Sequence, residues 1–170
     1  SLDDQPNSGQ TDAFLSKYSP DGTKVWTSII RTSGYDFASA LTTGLDGSIY
    51  LCGYVGGSID GQNFNGGGDA LLIKFNPDGT KVWTRLLGSG SYDRAYALTT
   101  GMDGTIFLSG YTLGSFDDQE NKTYSESFLT QFSADGTKLW TRFLGISSSE
   151  GSYGLTTGLD GAIYFGGSTN

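Results

Sequence analysis

Two dipeptides, Tyr35-Asp36 and Tyr92-Asp93, stand 57 residues apart, and Ser149-Glu150 holds the next matching place. A second acidic set recurs at the same interval: Asp60-Gly61-Gln62 and Asp117-Asp118-Gln119, with Asp3, Asp4 and Gln5 in the corresponding stretch near the start. An aromatic ring beside carboxylate and amide groups is the chemistry of sugar recognition. The ring covers a CH face, while acids and amides take up hydroxyls. The candidate ligand residues are therefore Tyr35, Asp36, Tyr92, Asp93, Glu150, Asp60 and Asp117. The same side chains have a plainer use. An Asp can bind the backbone of its own loop, with the neighbouring Tyr closing the end of a core. Recurrence at a fixed place in every repeat favours that fold-bearing role.

Other chemistries find less support. The chain contains no His, which removes the commonest general base and the Ser-His-Asp form of acyl transfer. Cys52 is the one cysteine. Ser109 and Gly166 replace it at matching places in mid-strand, so it reads as a small core residue and not a nucleophile. A carboxylate pair in one pocket is the remaining enzymatic alternative, with or without a metal. Any ring-like repeat brings acids near each other, so that pattern has no force by itself. The expectation is no catalytic residue and no cofactor. A structural calcium ion has only the Asp60-Gly61 and Asp117-Asp118 loops in its favour, with no D-x-D-x-D-G run to hold it. Asn121-Lys122-Thr123 matches the glycosylation acceptor pattern in form.

Ten Lys and Arg against eighteen Asp and Glu give 170 residues a net charge of −8. That balance argues against nucleic acid and against anionic membrane surfaces. No apolar run approaches the roughly 18 residues of a membrane span, and nothing reads as a signal peptide. With 36% hydrophobic and 14% aromatic residues, the chain has the material for a packed core.

The elements that must position these side chains come from an internal repeat. PDGTKVWT at Pro20–Thr27 returns at Pro77–Thr84, and as ADGTKLWT at Ala134–Thr141. ALTTGLDGSIY at Ala40–Tyr50 returns at Ala97–Phe107 and Gly154–Tyr164. Three periods of 57 would be one residue longer than the chain. Each period reads as four short strands, for example 38–44, 48–55, 69–75 and 81–87, separated by Asp-Gly turns that supply the positive φ of a tight hairpin. No stretch shows a helical period, so the chain is expected to be all-β. Four-stranded units at this spacing point to propeller blades. Trp26, Trp83 and Trp140 on the fourth strand would then fill the gaps between blades.

The run DAFLSKYSPDGTKVWT, a Tyr-Asp stretch and ALTTGLDGSIYLCGY together resemble the bacterial β-propeller repeat known as SBBP, with likeness to the wider NHL-like propellers. The resemblance covers all three repeats. It implies antiparallel four-stranded blades, no catalytic motif, and a place in secreted or surface proteins of bacteria. In NHL-like blades the 38–44 strand is innermost. On that phase, 38–87 and 95–144 are whole blades, 1–31 supplies two outer strands of a split blade, and 152–170 supplies two inner ones. Three blades do not close a ring, since propellers take typically four to eight. The expected partner is therefore the protein itself: two copies, joined head to tail by complementary half-blades, make six blades in a dimer, and three copies would make nine. The repeat count equally suits an excised or engineered segment of a longer array. On function the sequence supports a non-enzymatic scaffold or binding module that self-assembles. Its ligand surface would lie on the variable loops and channel mouth, for a glycan or a protein, with a lectin-like propeller as the alternative.

Overall fold

A computed structural model describes residues 10–122, 124–144 and 150–169. Every regular element among them is a β-strand. β1 (Ala13–Tyr18) and β2 (Lys24–Ile30) form a two-stranded sheet. β3 (Phe37–Thr43), β4 (Ile49–Val55), β5 (Asp69–Phe75) and β6 (Lys81–Leu87) form a four-stranded meander in chain order. β7 (Asp93–Thr100), β8 (Ile106–Thr112), β9 (Glu126–Phe132) and β10 (Lys138–Phe143) repeat it. β11 (Glu150–Thr157) and β12 (Ile163–Thr169) form a last pair. All these strand pairings are antiparallel. The all-β class and the four-stranded antiparallel units expected from the repeat are present.

The Asp-Gly pairs do what their chemistry dictates. Gly22, Gly47, Gly79, Gly104, Gly136 and Gly161 take φ between 79° and 87°, where a β-carbon would be strained. The preceding Asp accepts the backbone N–H two residues on, as in Asp46 with Ser48 at 3.0 Å and Asp78 with Thr80 at 2.9 Å.

Two irregularities recur with the repeat. The pairing of β5 with β6 runs from Lys74↔Trp83 to Phe75↔Lys81, so Val82 is left over as a bulge, and Val25 and Leu139 occupy the same place. All three bulge residues are exposed. On the first strand of each unit the register slips around Ser39, Tyr96 and Tyr153.

The sheets pack face to face. One apolar cluster joins Tyr50, Leu72 and Leu87 of the first four-stranded sheet to Leu98, Ile106, Leu108 and Phe128 of the second. The other joins Leu15 and Ile30 of the β1–β2 pair to Leu51, Leu71 and Phe75. Two of the three Trp clamp the turn of the following sheet: Trp26 lies against Gly79, and Trp83 against Gly136. Cys52 is fully buried in the first cluster, and burial pushes its thiol up to about 12, which keeps it protonated and unreactive.

Candidate functional site

The Tyr-Asp dipeptide sits where consecutive sheets are joined. Asp36 is fully buried. It accepts hydrogen bonds from the Thr32 amide (2.5 Å), the Thr32 hydroxyl (2.7 Å) and the Gly56 amide (3.3 Å). Asp93 is equally buried and accepts from the Ser89 amide at 2.6 Å, the Ser89 hydroxyl at 2.9 Å and the Thr112 hydroxyl. The amides of these two Asp residues donate across to the preceding sheet, Asp36 to Thr11 O and Asp93 to Gly68 O, both at 2.7 Å. Desolvation raises the pKa of both carboxyls, against the hydrogen bonds that lower it. Geometry therefore commits both acids to tying one loop to two sheets. The neighbouring rings stay open, with Tyr35 52% and Tyr92 48% exposed.

Asp69 is a third buried acid at the same junction. The Asn65 amide donates to its Oδ2 at 2.9 Å, while its Oδ1 has no hydrogen-bond partner among the described residues. Burial and the nearby Asp93 both raise its pKa.

Asp60 and Asp117 belong to a different region. Their loops fold over the outermost strands. Asp60 pairs with Lys81 at 2.5 Å and accepts from Thr84 at 2.5 Å, both on β6. Asp117 pairs with Lys138 and accepts from Thr141 at 2.7 Å, both on β10. These acids share no hydrogen-bond partner with Asp36 or Asp93 among the described residues. Asp3, Asp4, Gln5, Ser149 and Thr123 lie outside the described residues, as does the side chain of Glu150. No cluster of three metal-ligating side chains occurs among the described residues.

Several residues that the loops did not suggest gather beside Tyr92. The Arg94 guanidinium lies 4.1 Å from the centre of the Tyr54 ring and 6.0 Å from that of Tyr92. Tyr96 approaches Tyr111 at 5.7 Å and Tyr153 at 5.4 Å between ring centres. Phe37 stacks on Tyr54 at 4.9 Å. Tyr96 and Tyr153 are the slipped residues of their strands, and a bulge re-aims its side chain out of the regular alternation. Repeat comparison hides Arg94, which aligns with Phe37 and Gly151, and half hides Tyr96, which aligns with Ser39 and with Tyr153. A search for variable positions on the first strand of each unit would have found them.

The second notable surface is the open edge of the half-sheets. Among the described residues β1 pairs only with β2, and β12 only with β11. Equivalent positions therefore differ sharply. Tyr50 and Phe107 are 1% and 8% exposed, whereas Tyr164 is 58% exposed. Phe75 and Phe132 are 2% and 1% exposed, whereas Tyr18 is 59% exposed. Beside β1 lies an open cavity of about 690 Å³ lined by residues that include Leu15, Lys17, Trp26, Leu41, Ile49 and Pro77.

No family model matches the chain. It is 26% identical, in a match that covers 96% of the chain, to the regulatory protein FlaEY of Caulobacter vibrioides. It is also 26% identical, in a match that covers 80% of the chain, to an uncharacterized WD repeat-containing protein, L264, of Acanthamoeba polyphaga mimivirus. The chain spans only 20% and 13% of those two relatives.

Proposed function

We propose that this chain is a non-enzymatic propeller segment, built of SBBP-type repeats, which closes into a six-bladed ring by pairing with a second copy and serves as a scaffold or binding module. One observation carries the reading. Side chains at the same repeat position are buried in both four-stranded sheets and exposed in the two-stranded ones, as Tyr50, Phe107 and Tyr164 are. A half-sheet with large apolar side chains along an unpaired edge is a template for association. The WD repeats named in the viral relative support a propeller, since such repeats form four-stranded blades around a channel. Amide hydrogen exchange tests it. The edge amides of β1 and β12 should be protected as strongly as those of β5 and β8, and should stay protected over the dilution range in which the dimer persists. Fast exchange at every concentration contradicts it.

A second reading, carbohydrate binding at the channel mouth, has its own support. The exposed rings of Tyr35 and Tyr92 adjoin the Phe37–Tyr54–Arg94 stack, and that of Tyr153 adjoins Tyr96. Saturable shifts of tyrosine resonances on titration with neutral and acidic monosaccharides, lost in Tyr92→Ala, would support it. Unchanged spectra would remove it.

A further inference from the structure

Resting on that ring reading, we infer the register of the junction: β12 of one copy pairs antiparallel with β1 of a second copy, Ile163 opposite Tyr18 and Phe165 opposite Ser16, while Trp140 closes on Gly22. The register comes from the two whole sheets. There β4 pairs with β5 as Ile49↔Phe75, Tyr50↔Lys74 and Leu51↔Ile73, and β8 with β9 as Ile106↔Phe132, Phe107↔Gln131 and Leu108↔Thr130. Moving each pair along by the repeat places Ile163, Tyr164 and Phe165 opposite Tyr18, Lys17 and Ser16.

The side chains at this junction are already in position to receive the strand. In the whole sheets an aromatic residue fills the space against the Trp: Tyr50 lies 5.8 Å from Trp83, and Phe107 lies 6.0 Å from Trp140, between ring centres. The corresponding space against Trp26 is the 690 Å³ cavity. Tyr164 of a second copy is the residue that the register delivers there. The Tyr50 hydroxyl reaches Ala134 O at 3.5 Å, beside the Lys74 ammonium on the same oxygen at 3.3 Å. Lys17 already donates to Pro77 O at 3.1 Å, so Tyr164 would complete the same pair of donors. The far wall of the cavity includes Leu41, 55% exposed, whose counterpart Leu98 is 6% exposed under the neighbouring sheet.

The turns give a second, independent mark of the same fit. A β-carbon on Gly79 would stand 2.8 Å from Trp26, and one on Gly136 would stand 2.9 Å from Trp83. Around Gly22, with a similar φ of 85°, nothing among the described residues lies within 4 Å. Trp140 is the indole that the repeat brings to it. Arg85 Nε donates to Gly136 O at 2.7 Å, and Arg142 would donate to Gly22 O in the same way.

Paired cysteines read the register. Directly opposed residues on antiparallel strands have Cα atoms about 4.5–5.5 Å apart, within disulfide reach, whereas a diagonal neighbour at about 7–8 Å is beyond it. The native Cys52 is buried and does not compete. The chain carrying Phe165→Cys with Ser16→Cys should oxidise to a covalent dimer, and the chain carrying Phe165→Cys with Tyr18→Cys should not. A doubled mass with cross-linking only in the second chain, or in neither, overturns the register but leaves the ring. A single-chain mass for the unaltered protein overturns the ring itself. Tyr164→Ala is the check that spares the single-chain fold, because this side chain is exposed there. It should weaken association at least tenfold, and unchanged association would contradict the placement of Tyr164 on Trp26.

Discussion

The indole of Trp83 rests on Gly136 of the following sheet, its Cδ2 within 2.9 Å of the place where a β-carbon on Gly136 would stand. The turn residue is thus fixed twice, by a φ of 83° and by the ring above it. Gly136→Ala meets both the strained backbone and the clash. It should cost about 3 kcal/mol or the top of the usual range for a non-glycine in the left-handed region. Trp83→Ala should cost a similar amount, about 3–5 kcal/mol, as for a large ring lost from a core. Thermal or denaturant unfolding measures both. A near-normal midpoint for Trp83→Ala would mean that the ring does not hold the sheets together.

The Tyr-Asp dipeptide separates two roles that adjacent residues perform. Asp93→Ala leaves the Ser89 amide buried without its acceptor and should cost about 2–4 kcal/mol. Tyr92→Ala, at a half-exposed ring, should cost less than about 1 kcal/mol. Unfolding midpoints of the two variants decide this. Equal and small losses would return Asp93 to the list of ligand groups.

Stability should be highest near pH 4 and fall on either side. Asp36, Asp69 and Asp93 have raised pKa values from burial, so the folded chain holds their protons longer than the unfolded one. Stability from these groups falls as pH rises from the ordinary value of 3.8 through their raised values. Asp46 has the opposite sign. The Lys74 ammonium at 2.9 Å lowers it to about 2, so its contribution is lost as pH falls from 3.8 toward that value. It is a small contribution, because the Asp46 side chain is 56% exposed. Melting temperature against pH checks the shape. Asp69→Asn, which mimics the protonated acid, should raise the midpoint at pH 7 and leave it unchanged near pH 3. A melting temperature that climbs steadily to pH 7 would refute the assignment.

The surface ion pairs of the outer strands should matter little. Lys81→Ala removes a pair whose partners are each about one-third exposed, and should cost under about 1 kcal/mol, less at high salt. Asp60→Ala also removes the Thr84 bond and sets alanine at φ 50°, so it should cost more than Lys81→Ala. Equal losses in the two variants would show that the backbone conformation and the Thr84 bond contribute nothing.

Strands and turns were legible in the sequence because the repeat printed them three times. Lys81–Leu87 and Asp69–Phe75 were bounded by Asp-Gly turns on one side and a loop of different composition on the other, and their limits are unchanged in the structure. The bulges at Val25, Val82 and Leu139 were not legible, since an apolar residue between Lys and Trp fits a regular alternation equally well. The candidate site was legible in part. The fixed place of Asp36 and Asp93 announced a role in every repeat, and the buried hydrogen bonds give its physical form. Arg94 escaped notice because its repeat counterparts are chemically unlike it, and Tyr96 because Ser39 stands in its place in the first unit although Tyr153 repeats it in the last. Only the folded sheets bring Arg94 to Tyr54, across 40 residues of chain.

Solution mass across a dilution series tests the ring most directly. A closed six-bladed ring gives a species of twice 18.0 kDa that persists on dilution, because closure would bury Tyr164, Tyr18 and Leu41 at each of two junctions and pair two strand edges. A three-fold mass would replace six blades by nine. A stable single chain of 18.0 kDa would contradict ring closure by a second copy.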